Sequence, residues 1–210
     1  TAKSGPSLNL FGYLLAGMSA MFLLFIASTG MTDLHHEARN RTFQRYHTLR
    51  QALLPFVAGK VVFAVVLLLL SSVVLLGGGA LVFRIHWQHP LALAVLVLGH
   101  ACFAAGFMAV LAALAGDERI ASTLNTIVAM ALAIAGGCAF PPQQLPAFLR
   151  EHISPLLPTY WFAETVRNLE YGSGEVAWVG VALRFAGLSV LLIAVAAFLF
   201  RRRFRKGLRA

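Results

Sequence analysis

Five apolar stretches, at residues 10–30, 56–76, 91–115, 120–140 and 178–200, dominate the chain. Each reaches the roughly 20 residues that carry a helix, rising about 1.5 Å per residue, through a hydrocarbon core of about 30 Å. Inside lipid only a helix or a closed barrel satisfies every backbone N–H and C=O. These runs are continuously apolar instead of alternating, so they read as helices. The expected fold is all-α: a polytopic transmembrane helical bundle, five spans in one transmembrane domain over residues 1–210. A water-soluble bundle is excluded by composition, because 59% hydrophobic and 12% charged residues leave too little polar surface to cover it.

The net charge of +9 is organised by side. Arg39, Arg41, Arg45, Arg50 and Lys60 flank the connection between the first two spans. Arg119 lies between the third and fourth, and Arg201, Arg202, Arg203, Arg205, Lys206 and Arg209 follow the last. The opposite side holds Lys3, Arg84, Arg150, Arg167 and Arg184. The positive-inside bias places the basic tail, 201–210, in the cytoplasm and Thr1 outside. This distribution accounts for the charge without nucleic acid. An outside start, an odd number of spans and no charged-then-apolar leader lead us to expect an upstream portion of the protein. Cys102 and Cys138 fall within spans, as packing residues and not as a disulfide framework.

Residues 32–55 are too polar to cross. Phe43, Tyr46, Leu49, Leu53 and Phe56 nonetheless recur at steps of three and four, one face of an amphipathic helix. Thr32 or Asp33 is placed to cap it, and Glu37 suits its first turns. Such a basic helix serves either as an anchor on anionic lipid or as a docking element for a cytoplasmic partner. The run HHEARNRTFQRYHTLRQALLPFVAGK resembles the segment after the second span of type-2 ABC exporter permeases. Glu37 matches the acidic position of that family, Thr42 its Thr, Phe43 the apolar residue that follows, Arg45 the basic residue, and Gly59 with Lys60 the closing pair. Arg41 stands where the family usually has Gly. The resemblance implies a coupling helix at 32–55 that engages the ATPase through Glu37, Arg41, Thr42, Phe43, Arg45 and Tyr46.

Between the last two spans, Pro141, Pro142, Pro146, Pro155 and Pro158 cut residues 141–171 into two short pieces. Tyr160, Trp161 and Phe162 are the aromatics of a membrane interface. We expect a helical hairpin in the outer leaflet, with Glu164 and Arg167 paired across three positions. It acts either as an interfacial anchor or as an outer gate built on Pro141, Pro146, Trp161, Glu164 and Arg167. The same permease family is again similar here, through Gly136, Gly137, Phe140, Pro141, Leu145, Pro146, Pro155, Pro158 and Arg167 in order.

Ionisable or amide groups within spans are functional candidates by default. Here these are His100, read as lining a path or as a neutral hydrogen-bonded group, Asn125, read as lining a path, and Arg184, close enough to an end to snorkel. Ala101, Ala105, Ala109 and Ala113, and then Ala129, Ala133 and Gly137, form small-residue stripes that favour a tight bundle or a dimer contact. No phosphate loop, metal-ligand spacing or nucleophile-and-base motif stands out. His35 and His36 diverge around a helix, and Asp117 and Glu118 read as solvated.

The resemblance thus implies the permease half of an ATP-driven exporter of a hydrophobic or amphipathic substrate. It implies no catalytic, cofactor or metal site in this chain, with ATP and Mg held by a partner ATP-binding-cassette subunit. A second copy or paralogue would complete a dimer within lipid, in a bacterial inner or cell membrane. The upstream portion would be a first span and an extracytoplasmic domain. An integral-membrane enzyme acting on lipid and an ion-coupled carrier are the competing classes.

Overall fold

The computed structural model describes residues 10–39, 53–115, 117–140, 144–171 and 178–207. The fold is an all-α bundle, and no strand occurs among the described residues. Its helices are α1 (Leu10–Arg39), α2 (Leu53–Ser72), α3 (Gly78–Phe83), α4 (Pro90–Leu114), α5 (Glu118–Ala135), α6 (Pro158–Tyr171) and α7 (Trp178–Gly207). Five segments have the length and hydropathy to cross a bilayer: Gly12–Gly30, Ala58–Phe83, Pro90–Leu114, Glu118–Ala135 and Trp178–Arg202.

The spans fall where hydropathy puts them, but several ends do not. The first span ends at Gly30 as expected, but its helix continues. It runs through Thr32 and Asp33, which lie within the helix and not at a helix start, and past Glu37 to Arg39. Leu53 to Phe56, the far end of the expected amphipathic helix, are helical at the start of α2, and residues 40–52, which would form the middle of that helix, lie outside the described residues. Pro55 is tolerated there because an N–H in the first turn has no intrahelical acceptor.

The second span outlasts its expected end at residue 76. A π-helical turn, Val73–Gly77, leads through three consecutive glycines into α3. In hydrocarbon an interrupted helix would strand its backbone groups, so the chain stays helical through residues that would fray in water. A Cβ on Gly79 would press to 2.6 Å from a Leu15 methyl, so this glycine also lets α3 approach α1.

At α4, Pro90 occupies the first helical position. Helix α5 starts at Asp117, whose Oδ1 accepts the Ile120 N–H at 2.8 Å. That carboxylate is thus a cap and not merely solvated. The fourth span stops at Ala135, five residues short of expectation. Cys138 N–H donates to Ala133 O at 2.9 Å and Gly137 N–H to Ile134 O at 3.1 Å. With Gly137 at φ 65, this is a Schellman termination that glycine alone adopts without strain.

Helix α4 packs most extensively on α7, and α1 contacts α2, α4, α5 and α6. Lipid provides little hydrophobic drive between helices, so close packing of small residues does the work. Ala101, Ala105, Ala109 and Ala113 are all buried, as are Ala129 and Ala133. The stripes are therefore spent inside the chain. On α4, a Cβ at Gly99 would come 2.9 Å from Phe185 Cβ, and one at Gly106 would meet Ile193 at 3.2 Å, so both glycines seat α7.

Candidate functional site

Wherever a helix ends, its last four carbonyls lack intrahelical partners, and in a membrane they cannot rely on water. At the end of α5 the terminating turn serves the Leu132, Ala133 and Ile134 carbonyls, and the following hairpin adds side-chain donors. Thr159 Oγ1 donates to Leu132 O at 2.9 Å, and Ser154 Oγ donates to Ala135 O at 2.6 Å. Arg167 Nη2 donates to Gly137 O at 3.1 Å. A guanidinium also suits the negative end of the α5 dipole. The hairpin is in effect a side-chain cap on α5.

Arg167 joins a third element. Its Nε donates to Tyr13 O on α1 at 3.2 Å, and its guanidinium carbon lies 4.2 Å from the Tyr13 ring centroid. The side chain is only 3% exposed. Glu164, the partner expected from sequence, is a poor second, with its Oε2 3.9 Å from Arg167 Nη1 and about a third of its side chain exposed. Gly17 makes the approach possible. A Cβ there would collide with Cys138 O and lie 2.7 Å from Arg167 Nη2. Gly17→Ala is therefore expected to lower the thermal midpoint of the purified protein by the equivalent of about 1–3 kcal/mol, the range for overpacking. An unchanged midpoint would mean that α1 and the hairpin sit farther apart than described.

Trp161 ties the hairpin inward. Its Nε1 donates to Pro155 O at 2.7 Å, its ring meets Phe185 edge-on at 6.1 Å, and Arg184 lies over it at 5.8 Å. Arg184 is exposed and held by an aromatic face. Pro146 is exposed and its carbonyl accepts the Arg150 N–H. Pro141 lies outside the described residues, as do Arg41, Thr42, Phe43, Arg45 and Tyr46.

His100 is fully buried where α1, α4, α6 and α7 meet. Its Nε2 lies 3.3 Å from Ala20 O, which requires the proton on that nitrogen for a hydrogen bond. Phe162, Phe185 and Phe103 surround the ring at centroid distances of 4.7, 5.8 and 5.9 Å. Asn125 is also fully buried, in the α5 stripe with Ala121, Ala129 and Ala133. Neither its Oδ1 nor its Nδ2 has a partner among the described residues. Sequence brings these two polar groups together as one candidate path, yet His100 is enclosed by aromatics and Asn125 sits in an alanine seam.

Sequence reasoning missed Ser154, Thr159, Tyr13 and Gly17. Only the placement of Ser154 and Thr159 beside Pro155 and Pro158, at the starts of helical turns, offered a signal. Glu170 was missed as well. Burial holds its carboxyl above the usual range, opposed by the Gln88 backbone N–H and by His86 in the connection before α4. A shallow groove of about 380 Å³ between α1 and the second span, α2 with its π-helical turn, is lined by Phe22, Ile26, Leu70, Ser71, Val74 and Leu75. Among the described residues no three His, Cys, Asp or Glu side chains converge as metal ligands would.

Five bilayer-length helices and a hairpin that caps one of them define a polytopic membrane protein. No curated protein matches the chain. The sequence model of the family described as ABC-2 type transporter matches residues 4–171. That range takes in the segment after the first described span and the whole hairpin. The chain belongs to this family and is a transporter permease.

Proposed function

We propose that the chain is one half of an ATP-driven exporter that moves a hydrophobic or amphipathic compound, while a separate ATP-binding-cassette subunit holds ATP and Mg and performs the hydrolysis. Family membership supports the transport class, and the observation that carries the coupling is the unbroken course of α1. Its 30 residues make a rod of about 45 Å at about 1.5 Å per residue. One end is gripped by Arg167 at Tyr13. The other leads directly into residues 40–52, where Arg41, Thr42, Phe43, Arg45 and Tyr46 would meet the ATPase, with Glu37 in the last turns of the rod. Nucleotide-driven closure of two ATPases would push that segment, and α1 would deliver the push to the hairpin. Coupling of this kind requires the partner to bind the two arrangements with different affinity.

The substrate path would run between this chain and a second copy or paralogue. Helix α5 supports that reading through its exposed face, where Ser122, Thr123 and Thr126 accompany Ile127, Met130 and Ile134. Its hydropathy of 1.2 is far below the 2.8 of Ala58–Phe83, a composition suited to a mixed surface and not to acyl chains alone. In this scheme the basic tail is cytoplasmic. The hairpin, with Pro141, Pro146, Trp161, Glu164 and Arg167, is the outer gate. Asn125 meets the path only when α1 and α5 part, and His100 holds the gate to the bundle.

The test is transport in proteoliposomes that contain the chain and its co-purifying ATPase. Phe43→Asp, or charge reversal at both Arg41 and Arg45, is expected to leave insertion intact and to disconnect nucleotide hydrolysis from substrate movement. Unaltered nucleotide-stimulated transport in these variants would remove residues 40–52 from the coupling.

A further inference from the structure

Helix α7 does not end with its apolar residues. It continues past Phe200 to Gly207 without a break. The 23 positions before Arg201 already span about 34 Å at about 1.5 Å per residue, so the remaining turns emerge at the headgroups. Cations occupy 201, 202, 203, 205 and 206, and the sequence has no acidic residue after Glu175 to neutralise them from the same helix.

A bias toward cations on one side of a membrane counts charges but is indifferent to which helix face they occupy. In α7 the face is selected. Phe185, Ser189, Ala196 and Phe200 are buried and mark the side turned to the bundle. At about 100° per residue, positions 201, 202 and 205 of the helix lie within about 50° of the opposite direction, position 206 at its margin, and position 203 in the bundle-facing direction. The exposure of Arg201 and Arg202 agrees, and neither has an ion pair among the described residues. The carboxylate of Asp117, near the same end of the bundle, is engaged in capping α5.

We infer that the last two turns of α7 form a binding surface for anionic phospholipid headgroups, with Arg201, Arg202, Arg205 and Lys206 as its contacts. Phosphate is the one negative group that every position around a lipid-facing helix meets at that depth, and each basic residue there adds attraction to an anionic headgroup. The inference needs only the membrane placement of α7 and stands apart from the exporter mechanism.

The test uses the full chain in phosphatidylcholine nanodiscs containing a minor fraction of spin-labelled phosphatidylglycerol, with the motionally restricted fraction as readout. The wild-type chain is expected to prefer phosphatidylglycerol over labelled phosphatidylcholine, and salt is expected to weaken that preference. Each of R201Q, R202Q and R205Q should reduce it by up to about fivefold, whereas R203Q should leave it nearly unchanged. The combined Arg→Lys replacement at 201, 202 and 205 should retain it, separating loss of charge from damage to the helix. Absence of a preference in the wild-type chain would overturn the assignment. So would a preference that survives the combined Arg→Gln replacement, disappears in the Lys variant, or depends equally on Arg203, the last pointing to a protein surface on the bundle side.

Discussion

Replacing Arg167 with Met is expected to destabilise the purified protein by about 3 kcal/mol, read as a large drop in thermal or denaturant midpoint, and to free the hairpin from α1 and α5. Each bond from a charged donor contributes about 1.5–3 kcal/mol when buried. Two are lost here, to Tyr13 O at 3.2 Å and Gly137 O at 3.1 Å. Relief of the guanidinium's own burial offsets part of that sum. The bond to Gly137 O is buried and water does not readily replace the lost donor there, which makes the loss larger than for an exposed arginine. Arg167→Lys should recover little, because a single ammonium cannot reproduce the fork that reaches two carbonyls on different elements. Glu164→Gln should cost well under 1 kcal/mol, since its contact is 3.9 Å long and partly exposed. If Glu164→Gln proved as damaging as Arg167→Met, the salt bridge and not the carbonyl clamp would hold the hairpin. Thr159→Val and Ser154→Ala, which each remove one donor from the same helix end, should fall between the two at about 1 kcal/mol.

The contrast between Glu164 and the carbonyls shows what a linear chain discloses. A partner three positions away on a helix is visible as spacing, whereas Tyr13 and Gly137 lie 154 and 30 positions from Arg167 and become neighbours only through packing. The spans themselves were legible because the thickness of a bilayer imposes a length and an apolarity that a sequence must display. Their ends were less so. Residues 77–79 look like a stop, yet satisfaction of the backbone in lipid carries the helix on to Phe83. Gly136 and Gly137 look like a small-residue packing pair, yet the left-handed conformation at Gly137 ends α5 there. The small-residue stripe on α4 was readable as a close-packing surface, but its burial within the chain rather than against a second copy was not. Of the proposed coupling residues, only the backbone position of Glu37 falls within the described structure.

Asn125→Val is expected to make the protein more stable and a worse transporter. Asn125 is fully buried in a helix face otherwise made of Ala121, Ala129 and Ala133, and both polar atoms of its amide lack partners among the described residues. An unsatisfied amide buried in this way costs about 1–3 kcal/mol, so an apolar side chain of similar bulk should raise the denaturation midpoint. The selective value of the amide must then lie in another arrangement. If α1 and α5 separate during the cycle, water or substrate reaches Asn125 and the penalty disappears, which biases the packed state toward opening. Removing a penalty of about 2 kcal/mol changes the ratio of packed to opened chains by about thirtyfold in favour of packing, enough to slow turnover when opening is part of the cycle. Nucleotide-stimulated transport should therefore fall while assembly with the ATPase is retained. A less stable Asn125→Val protein would reveal a partner for the amide in the packed state. A more stable protein with undiminished transport would show that α1 and α5 stay together throughout turnover.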